Sequence, residues 1–395
     1  MGGYRPFTFL RPTGRVLLGL LATVSVASNL TACDHEQPTV KVIVLVASAT
    51  RNEPAAVLAP PDLADLRQAA VTSDAIAYVV DTNTGQPTTV TLTPLRPDGQ
   101  VEYGPDRNAL LAANLAQVQR LLARQAADHP FDLLSLLAQA VKVSPVPGTL
   151  IVVSSGLSTA GGFDLRQVGW YASPVAVASQ LKREGFLPSL TKWHVIFSGL
   201  GDTAGDQPAL PLPQQAELVA YIMAICHAAG AASCGTDDVT RPDPPAASSY
   251  RAPVVPVPVV TSVQGPRGWT GENIPADLFF RLNSSQLLPG ADSILGPLAA
   301  RAKAYRLQVS ITGSASPETG SPAYNQALSL ARARSIQAGL IALGVAPDQI
   351  IQVAGDSTAG KTAAVCYRDG HLDEVVCAKL RRVVILLSPV PNSTT

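Results

Sequence analysis

Residues 40–47 form an unbroken apolar run rich in β-branched side chains, the pattern of a strand buried on both faces. After it the hydrophobic period keeps switching. Residues 75–81 and 88–95 read as two strands joined through Thr82-Asn83-Thr84-Gly85, and residues 150–154 and 193–198 read as two more. Between and after them, residues 106–127, 131–141, 174–183 and 213–229 carry helical patterning, with Pro213 suited to a first turn. Strands alternating with helices predict an α/β fold: a mostly parallel sheet with helices on both faces.

A second series begins further on. Residues 276–281, 307–312, 350–354 and 381–387 read as strands, and 292–305 and 323–343 as helices, with Gly344 placed for a C-terminal cap. This order predicts an α+β sandwich of helices on one sheet. Between the two series, residues 236–268 carry Pro242, Pro244, Pro245, Pro253, Pro256 and Pro258. Such a segment is expected to be an extended, semi-rigid spacer with a reach of about 3 Å per residue where it is polyproline-like. The expected domains are therefore 40–235 and 269–390, held apart by the linker 236–268.

The long helix contains an anomaly. Leu328, Ile336, Leu340 and Leu343 share one arc of its surface, Arg332 falls inside that arc, and Arg334 points the other way. An arginine in an apolar stripe needs an anionic partner or a route to water. From spacing alone, a snorkelling side chain and a ligand-binding one are both open.

At these residues the chain resembles a family. Asn325, Leu328, Ser329, Arg332 and Ala333 reproduce the N-x-x-L-S-x-x-R-A signature of OmpA-like peptidoglycan-binding domains. Residues 278–287 look like that family's opening strand and turn, and Arg381-Arg382-Val383-Val384-Ile385 like its closing strand. The resemblance implies that Arg332 pairs with the carboxylate of diaminopimelate in the peptidoglycan stem peptide. A guanidinium fork matches a carboxylate in a way that lysine does not. It also implies that Asn325 orders the turn or touches the ligand, and that an aspartate in the preceding turn holds the ammonium. Arg381 and Arg382 read either as assisting groups or as a basic edge. This chain departs at the turn. Gly313-Ser314-Ala315-Ser316-Pro317-Glu318-Thr319-Gly320 is one residue longer than the usual G-H-T-D-x-x-G and lacks the aspartate, so Ser316 or Glu318 is expected to supply the oxygen.

The N-terminus adds a location. Arg5, Arg11 and Arg15 precede an apolar run at 16–30, shorter than the ~20 residues of a spanning helix. Residues 1–32 read as a signal peptide. Leu30-Thr31-Ala32-Cys33 resembles the lipobox of bacterial lipoproteins, which implies cleavage before Cys33, acylation of Cys33 with chains such as palmitate, and a tether at 33–39. Multiple acyl chains anchor a protein stably to a membrane. The four remaining cysteines close two short loops, Cys226 with Cys234 and Cys366 with Cys377. In an oxidising compartment two local disulfides are the simplest pairing, each contributing roughly 2.5–3 kcal/mol. The rival, a metal site, has the wrong spacing, with only His227 and His371 nearby.

The first series resembles a von Willebrand factor A-like domain in its apolar first strand, early hairpin and repeated strand–helix units. That family often holds a divalent metal through D-x-S-x-S. Here the stretch reads Ala47-Ser48-Ala49-Thr50-Arg51, and Ser154-Ser155-Gly156 stands where a later aspartate is usual. A hard cation needs oxygen ligands with carboxylates among them, so no metal is expected, and the domain reads as a module for a protein or glycan partner.

The rest of the chain excludes more than it adds. The net charge is zero and charged residues make up 15%, so there is no basic footprint for nucleic acid. Gly199 to Ala204 spells the dinucleotide fingerprint G-x-G-x-x-A, but Pro208, Pro211 and Pro213 delay the helix it requires. Residues 355–362 match the P-loop pattern, but no long helix is expected after Lys361. They read as a loop stapled by Cys366–Cys377. The five histidines are scattered and no nucleophile–base set emerges, so neither enzyme activity nor a cofactor is expected. The reading is a lipid-anchored envelope protein that grips peptidoglycan and meets an unknown protein through its first domain. The alternative is a scaffold of an envelope assembly whose OmpA-like domain no longer binds peptidoglycan.

Overall fold

The computed structural model describes residues 42–390 apart from 73, 238, 242, 243, 318, 319, 369, 370 and 373. The expected signal peptide, Cys33, the tether and Glu318 lie outside the described residues.

Six strands build the first sheet: β1 (Val42–Ala47), β2 (Ile76–Val80), β3 (Pro87–Thr91), β4 (Thr149–Val153), β5 (His194–Ser198) and β6 (Ser233–Thr236). Their order is β3-β2-β1-β4-β5-β6, parallel throughout except for the β2–β3 pair. The helices are α1 (Pro60–Ala69), α2 (Arg107–Ala123), α3 (Leu133–Ala140), α4 (Leu165–Val168), α5 (Pro174–Arg183) and α6 (Leu212–Ala228). Side chains alternate across a strand, and β1 uses both sides. Val42, Val44 and Val46 join a core with Leu137 of α3, Leu181 of α5 and Leu218 of α6. Ile43, Leu45 and Ala47 join another with Leu66 of α1 and Val118 of α2. Helices must therefore cover both faces, as the apolar run predicts. Helix α1 was not expected from the pattern; Pro60 and Pro61 occupy its first turn, where a missing N–H is harmless.

The second sheet is built from β7 (Thr261–Gln264), β8 (Thr270–Pro275), β9 (Gln308–Ser314), β10 (Ile350–Gly355) and the closing strand β13 (Arg382–Ser388), in the order β10-β9-β13-β8-β7. Only β9 and β10 are parallel. Two-residue strands β11 (Tyr367–Arg368) and β12 (His371–Leu372) form a separate ribbon. Helices α7 (Asp292–Ala304) and α8 (Pro322–Ala342) pack on the sheet, and Leu295, Ala299, Ile336 and Leu340 meet Val309, Ile311, Val383 and Ile385 in one core. A short helix α9 (Glu374–Leu380) precedes β13. Both expected disulfides are present: Cys226–Cys234 ties α6 to β6, and Cys366–Cys377 ties the turn after β10 to α9.

Two expectations fail. The strand expected at 276–281 lies at 270–275 instead, and residues 276–278 form a single 3₁₀ turn. Phe279 and Phe280 are both fully buried. Consecutive residues of a strand face opposite sides, so the chain leaves the strand to bring both rings into one core. The second failure is the spacer. Much of the proline-rich segment lies along the first sheet and its helices as a strap. Arg241 Nε donates to the Val57 carbonyl at 2.9 Å, and Asn52 Nδ2 donates to the carbonyls of Ala252 and Pro253 at 3.2 and 3.0 Å. Gln207 exchanges two hydrogen bonds with the backbone of Val255, whose side chain is fully buried. Prolines remove donors without supplying any, so polar side chains of the α/β part satisfy the strap's carbonyls. Further on, residues 261–264 join the second sheet as β7.

Val255→Ala tests the strap. It should cost about 2 kcal/mol in urea-induced unfolding because a buried side chain is lost; a free spacer would show a change within about 0.5 kcal/mol.

Candidate functional site

Helix α8 starts at Ser321, whose side chain accepts from the Tyr324 N–H, followed by Pro322. Its buried residues are Asn325, Ser329, Arg332, Ala333, Ile336 and Leu340, one face at helical spacing. Gly313 and Gly355 let the ends of β9 and β10 approach that face. A Cβ on Gly313 would stand 2.4 Å from the Ser329 carbonyl oxygen, and one on Gly355 would stand 2.5 Å from the Leu330 nitrogen. The turn after Gly355 docks there too, with the Ser357 N–H donating to Ser329 Oγ at 3.1 Å. The first glycine of the P-loop-like run, Gly355, thus serves close packing, and a four-residue 3₁₀ turn follows in place of a long helix. After Gly199 the next helix begins only at Leu212, so the dinucleotide-like pattern lacks its helix as well.

Arg332 does not snorkel: it is 0% exposed. Its Nε donates to the Ser284 carbonyl at 2.9 Å and its Nη2 to the Arg281 carbonyl at 3.3 Å. Nη2 also donates to the hydroxyl of Tyr171, which belongs to the loop between α4 and α5. Among the described residues Arg332 has no carboxylate partner, and its Nη1 has no hydrogen-bond partner at all.

Arg381, immediately before β13, is 1% exposed and faces the same ring. Its guanidinium carbon lies 4.2 Å from the Tyr171 ring centroid, and that of Arg332 lies 5.3 Å from the centroids of Tyr171 and Phe280. Arg381 Nε is 3.6 Å from Asp277 Oδ1, and its Nη1 is 3.5 Å from Ser316 Oγ. The tyrosine ring is therefore held by two guanidiniums, a cation–π arrangement strengthened by the exclusion of water. Burial pushes the Tyr171 phenol above its ordinary value, and the neighbouring Arg332 and Arg381 charges pull the other way.

The expected site residues are partly brought together. Ser316 is buried and faces Arg381. Asn325 shares the buried face of α8, and its Oδ1 has no partner among the described residues. Reading the sequence misses Tyr171, Asp277 and the anchors around them. Tyr221 of α6 donates to the Ala172 carbonyl at 2.9 Å, Trp170 Nε1 donates to the Pro256 carbonyl at 2.7 Å, and the Leu282 N–H donates to the Tyr171 carbonyl at 2.6 Å. From α6, Gln214 Nε2 donates to the Asp277 carbonyl at 2.8 Å, and the fully buried Glu217 takes Arg281 at 2.8 Å. Gln214 and Glu217 sit on the buried face of α6 with Leu218 and Tyr221. Polar residues on an apolar helix face are the signal that could have exposed this contact. A cavity of about 420 Å³ opens alongside, lined by Trp170, Pro256, Asn273, Asp277 and Arg381 among others; Arg332 does not line it.

At the ends of β1 and β4 the stretch compared with a metal signature is closed by a carboxylate of its own. Glu53 is 3% exposed, lies 2.7 Å from Ser48 Oγ and accepts from the Ser155 and Thr50 N–H groups at 2.7 Å each. Among the described residues no cluster of three or more His, Cys, Asp or Glu side chains could hold a metal ion.

Comparison with known proteins places the C-terminal part. The model of the OmpA family matches residues 279–365. Outer membrane protein A of Bordetella avium is 36% identical over 75 residues, which cover 19% of this chain and 39% of that protein's length. Among solved structures, the chain is similar to the periplasmic domain of Helicobacter pylori MotB at 18% identity and TM-score 0.27, covering 34% of this chain and 85% of that one. It is likewise similar to the cell wall anchor of the T6SS from Pseudomonas aeruginosa at 20% identity and TM-score 0.27, covering 33% and 88%.

Tyr171→Phe should show its effect at alkaline pH. A phenol whose folded value is raised contributes stability that is fully present below its ordinary value of 10.0 and is lost as pH rises through the folded value. Urea midpoints of the wild type should therefore fall more steeply above that point than those of Tyr171→Phe. Tyr221, raised by burial in the same direction, is common to both proteins.

Arg332, Ser316, Asn325 and Phe280 lie inside the matched segment, whereas Tyr171, Asp277 and Arg381 lie outside it, so the C-terminal part of this chain is OmpA-like and its arginine is closed from beyond the family match.

Proposed function

We propose that the chain is a lipid-anchored cell-envelope protein that binds peptidoglycan non-covalently through its OmpA-like domain and so tethers membrane to wall. Arg332 takes the carboxylate of a diaminopimelate stem peptide. Asn325 orders the turn or touches the ligand, and Ser316 or Glu318 supplies the oxygen for the ligand's ammonium. Asp277 adds a buried carboxylate beside Arg381. The observation that carries this reading is Arg332 itself: a buried guanidinium in an OmpA-like segment with only neutral partners among the described residues and one nitrogen unpartnered. Isolated buried charge is costly, and a carboxylate is the group that relieves it with two parallel hydrogen bonds.

In this reading Cys33 carries the anchor, residues 40–235 form a von Willebrand factor A-like module for a protein partner, and residues 269–390 form the wall-binding domain. Export is supported by the two disulfides, which belong to an oxidising compartment. No enzyme family is indicated by the comparisons, and the proposed role is non-enzymatic.

One observation favours a second reading. Tyr171 already occupies Arg332, as it would in a scaffold whose OmpA-like domain has given up its ligand for an internal contact.

Cosedimentation with diaminopimelate-type peptidoglycan separates the two. Retention of the chain should fall at least about tenfold in Arg332→Ala and should not be restored by Arg332→Lys, which keeps the charge but not the fork. Retention indifferent to residue 332 would leave the scaffold reading in its place.

A further inference from the structure

We infer that the α/β part closes the ligand site of the C-terminal part: Tyr171 competes with the stem-peptide carboxylate for Arg332, and this structure is the closed form. The inference rests on the peptidoglycan reading of Arg332.

The closing element is built for its place. The loop 169–172 is tied to α6 through Tyr221 and to the strap through Trp170. It projects a single phenol between two buried guanidiniums. Its backbone takes the Leu282 N–H, in the same turn whose Arg281 and Ser284 carbonyls hold Arg332. A second contact holds the two parts together away from the ligand group, with Glu217 on Arg281 and Gln214 on the Asp277 carbonyl. One short segment of the C-terminal part, 277–284, thus answers both to the arginine and to the α/β part.

A phenol is a weaker partner for Arg332 than a carboxylate. It is neutral, it engages only Nη2, and it leaves Nη1 without a partner among the described residues. A carboxylate brings an opposite charge and can take two parallel N–H bonds from the fork where the phenol takes one. The ligand wins at the guanidinium but must first displace Tyr171, so its apparent affinity is reduced by the fraction of molecules that are open. Whatever draws the α/β part away, including a protein partner bound to it, raises wall binding by the same linkage.

The test is cosedimentation of the full mature chain with diaminopimelate-type peptidoglycan in four forms: wild type, Tyr171→Ala, Glu217→Gln, and Tyr171→Ala with Arg332→Ala. Circular dichroism melts establish that each is folded. Glu217→Gln loosens the same docking from outside the ligand group and keeps the side chain's shape, so the test does not hang on one substitution. The expected result is tighter binding by about tenfold or more in Tyr171→Ala and a smaller gain in Glu217→Gln, with the gain abolished in the double variant. Folded single variants that bind no better than a binding wild type overturn closure and leave the ligand reading intact. If folded Tyr171→Ala and Glu217→Gln fail to bind at all, the ligand reading falls and closure falls with it.

Discussion

A guanidinium buried at 0% exposure without a carboxylate beside it, among the described residues, is the constraint on which this structure turns. Arg332 sits on the core face of α8, so its polar atoms must be met where an apolar sheet is also being covered. The solution uses backbone that is not committed to a ladder. Residues 281–284 turn through Asn283, which adopts the left-handed region that asparagine tolerates better than most residues. The turn leaves the carbonyls of Arg281 and Ser284 pointing at the arginine. The strand that would otherwise have run through 276–281 stops at Pro275, and Phe279 and Phe280 turn inward beneath the same site. Gly313 and Gly355 then allow two strand ends to meet α8 at a distance that a side chain would forbid.

The same guanidinium joins the two parts of the described chain. Tyr171 reaches it from a loop between α4 and α5, Glu217 and Gln214 reach neighbouring groups from α6, and the proline-rich strap runs along the α/β part before delivering β7 to the second sheet. A strap of this kind has a physical cost and a physical solution. Prolines cannot donate, so the strap's carbonyls are answered by Asn52, Gln207 and Trp170, and Val255 contributes the apolar anchor. Tyr171 contacts both Arg332 and Arg381, so the packing of the two parts and the surroundings of these guanidiniums are set together.

Three local patterns resemble chemical signatures but sit in surroundings of a different kind. The P-loop-like run at 355–362 has its glycines and lysine, yet the Asp356 and Ser357 N–H groups donate to β9 and α8, and those of Ala359 and Lys361 donate within the run. The G-x-G-x-x-A run at 199–204 is followed by loop. The stretch at the end of β1 resembles a metal signature stripped of its aspartates, and Glu53 closes it with hydrogen bonds to Ser48 and to the Thr50 and Ser155 N–H groups. Several N–H groups in these stretches hydrogen-bond to the chain itself, among them those of Thr50, Ser155, Gly201, Asp356 and Ser357.

The alternation of apolar runs and helical stripes by itself determined most strands of the two sheets, the burial of β1 on both sides, and Arg332 as an arginine out of place. Those signals are local: burial on two faces shows in unbroken β-branched runs, and helical periodicity places residue 332 among leucines whatever lies opposite. The two cysteine pairs were legible for the same reason, since short loops leave little choice of partner. Only the tertiary structure decided what Arg332 faces. Tyr171 lies 161 residues away in sequence, and no spacing rule connects a loop in one layered fold to a helix in another. Asp277 and Glu217 were hidden likewise, because a buried carboxylate looks like a solvated one until the cation opposite it is known. The strap was misread because proline composition reports stiffness and missing donors, not which surface the stiff segment lies against.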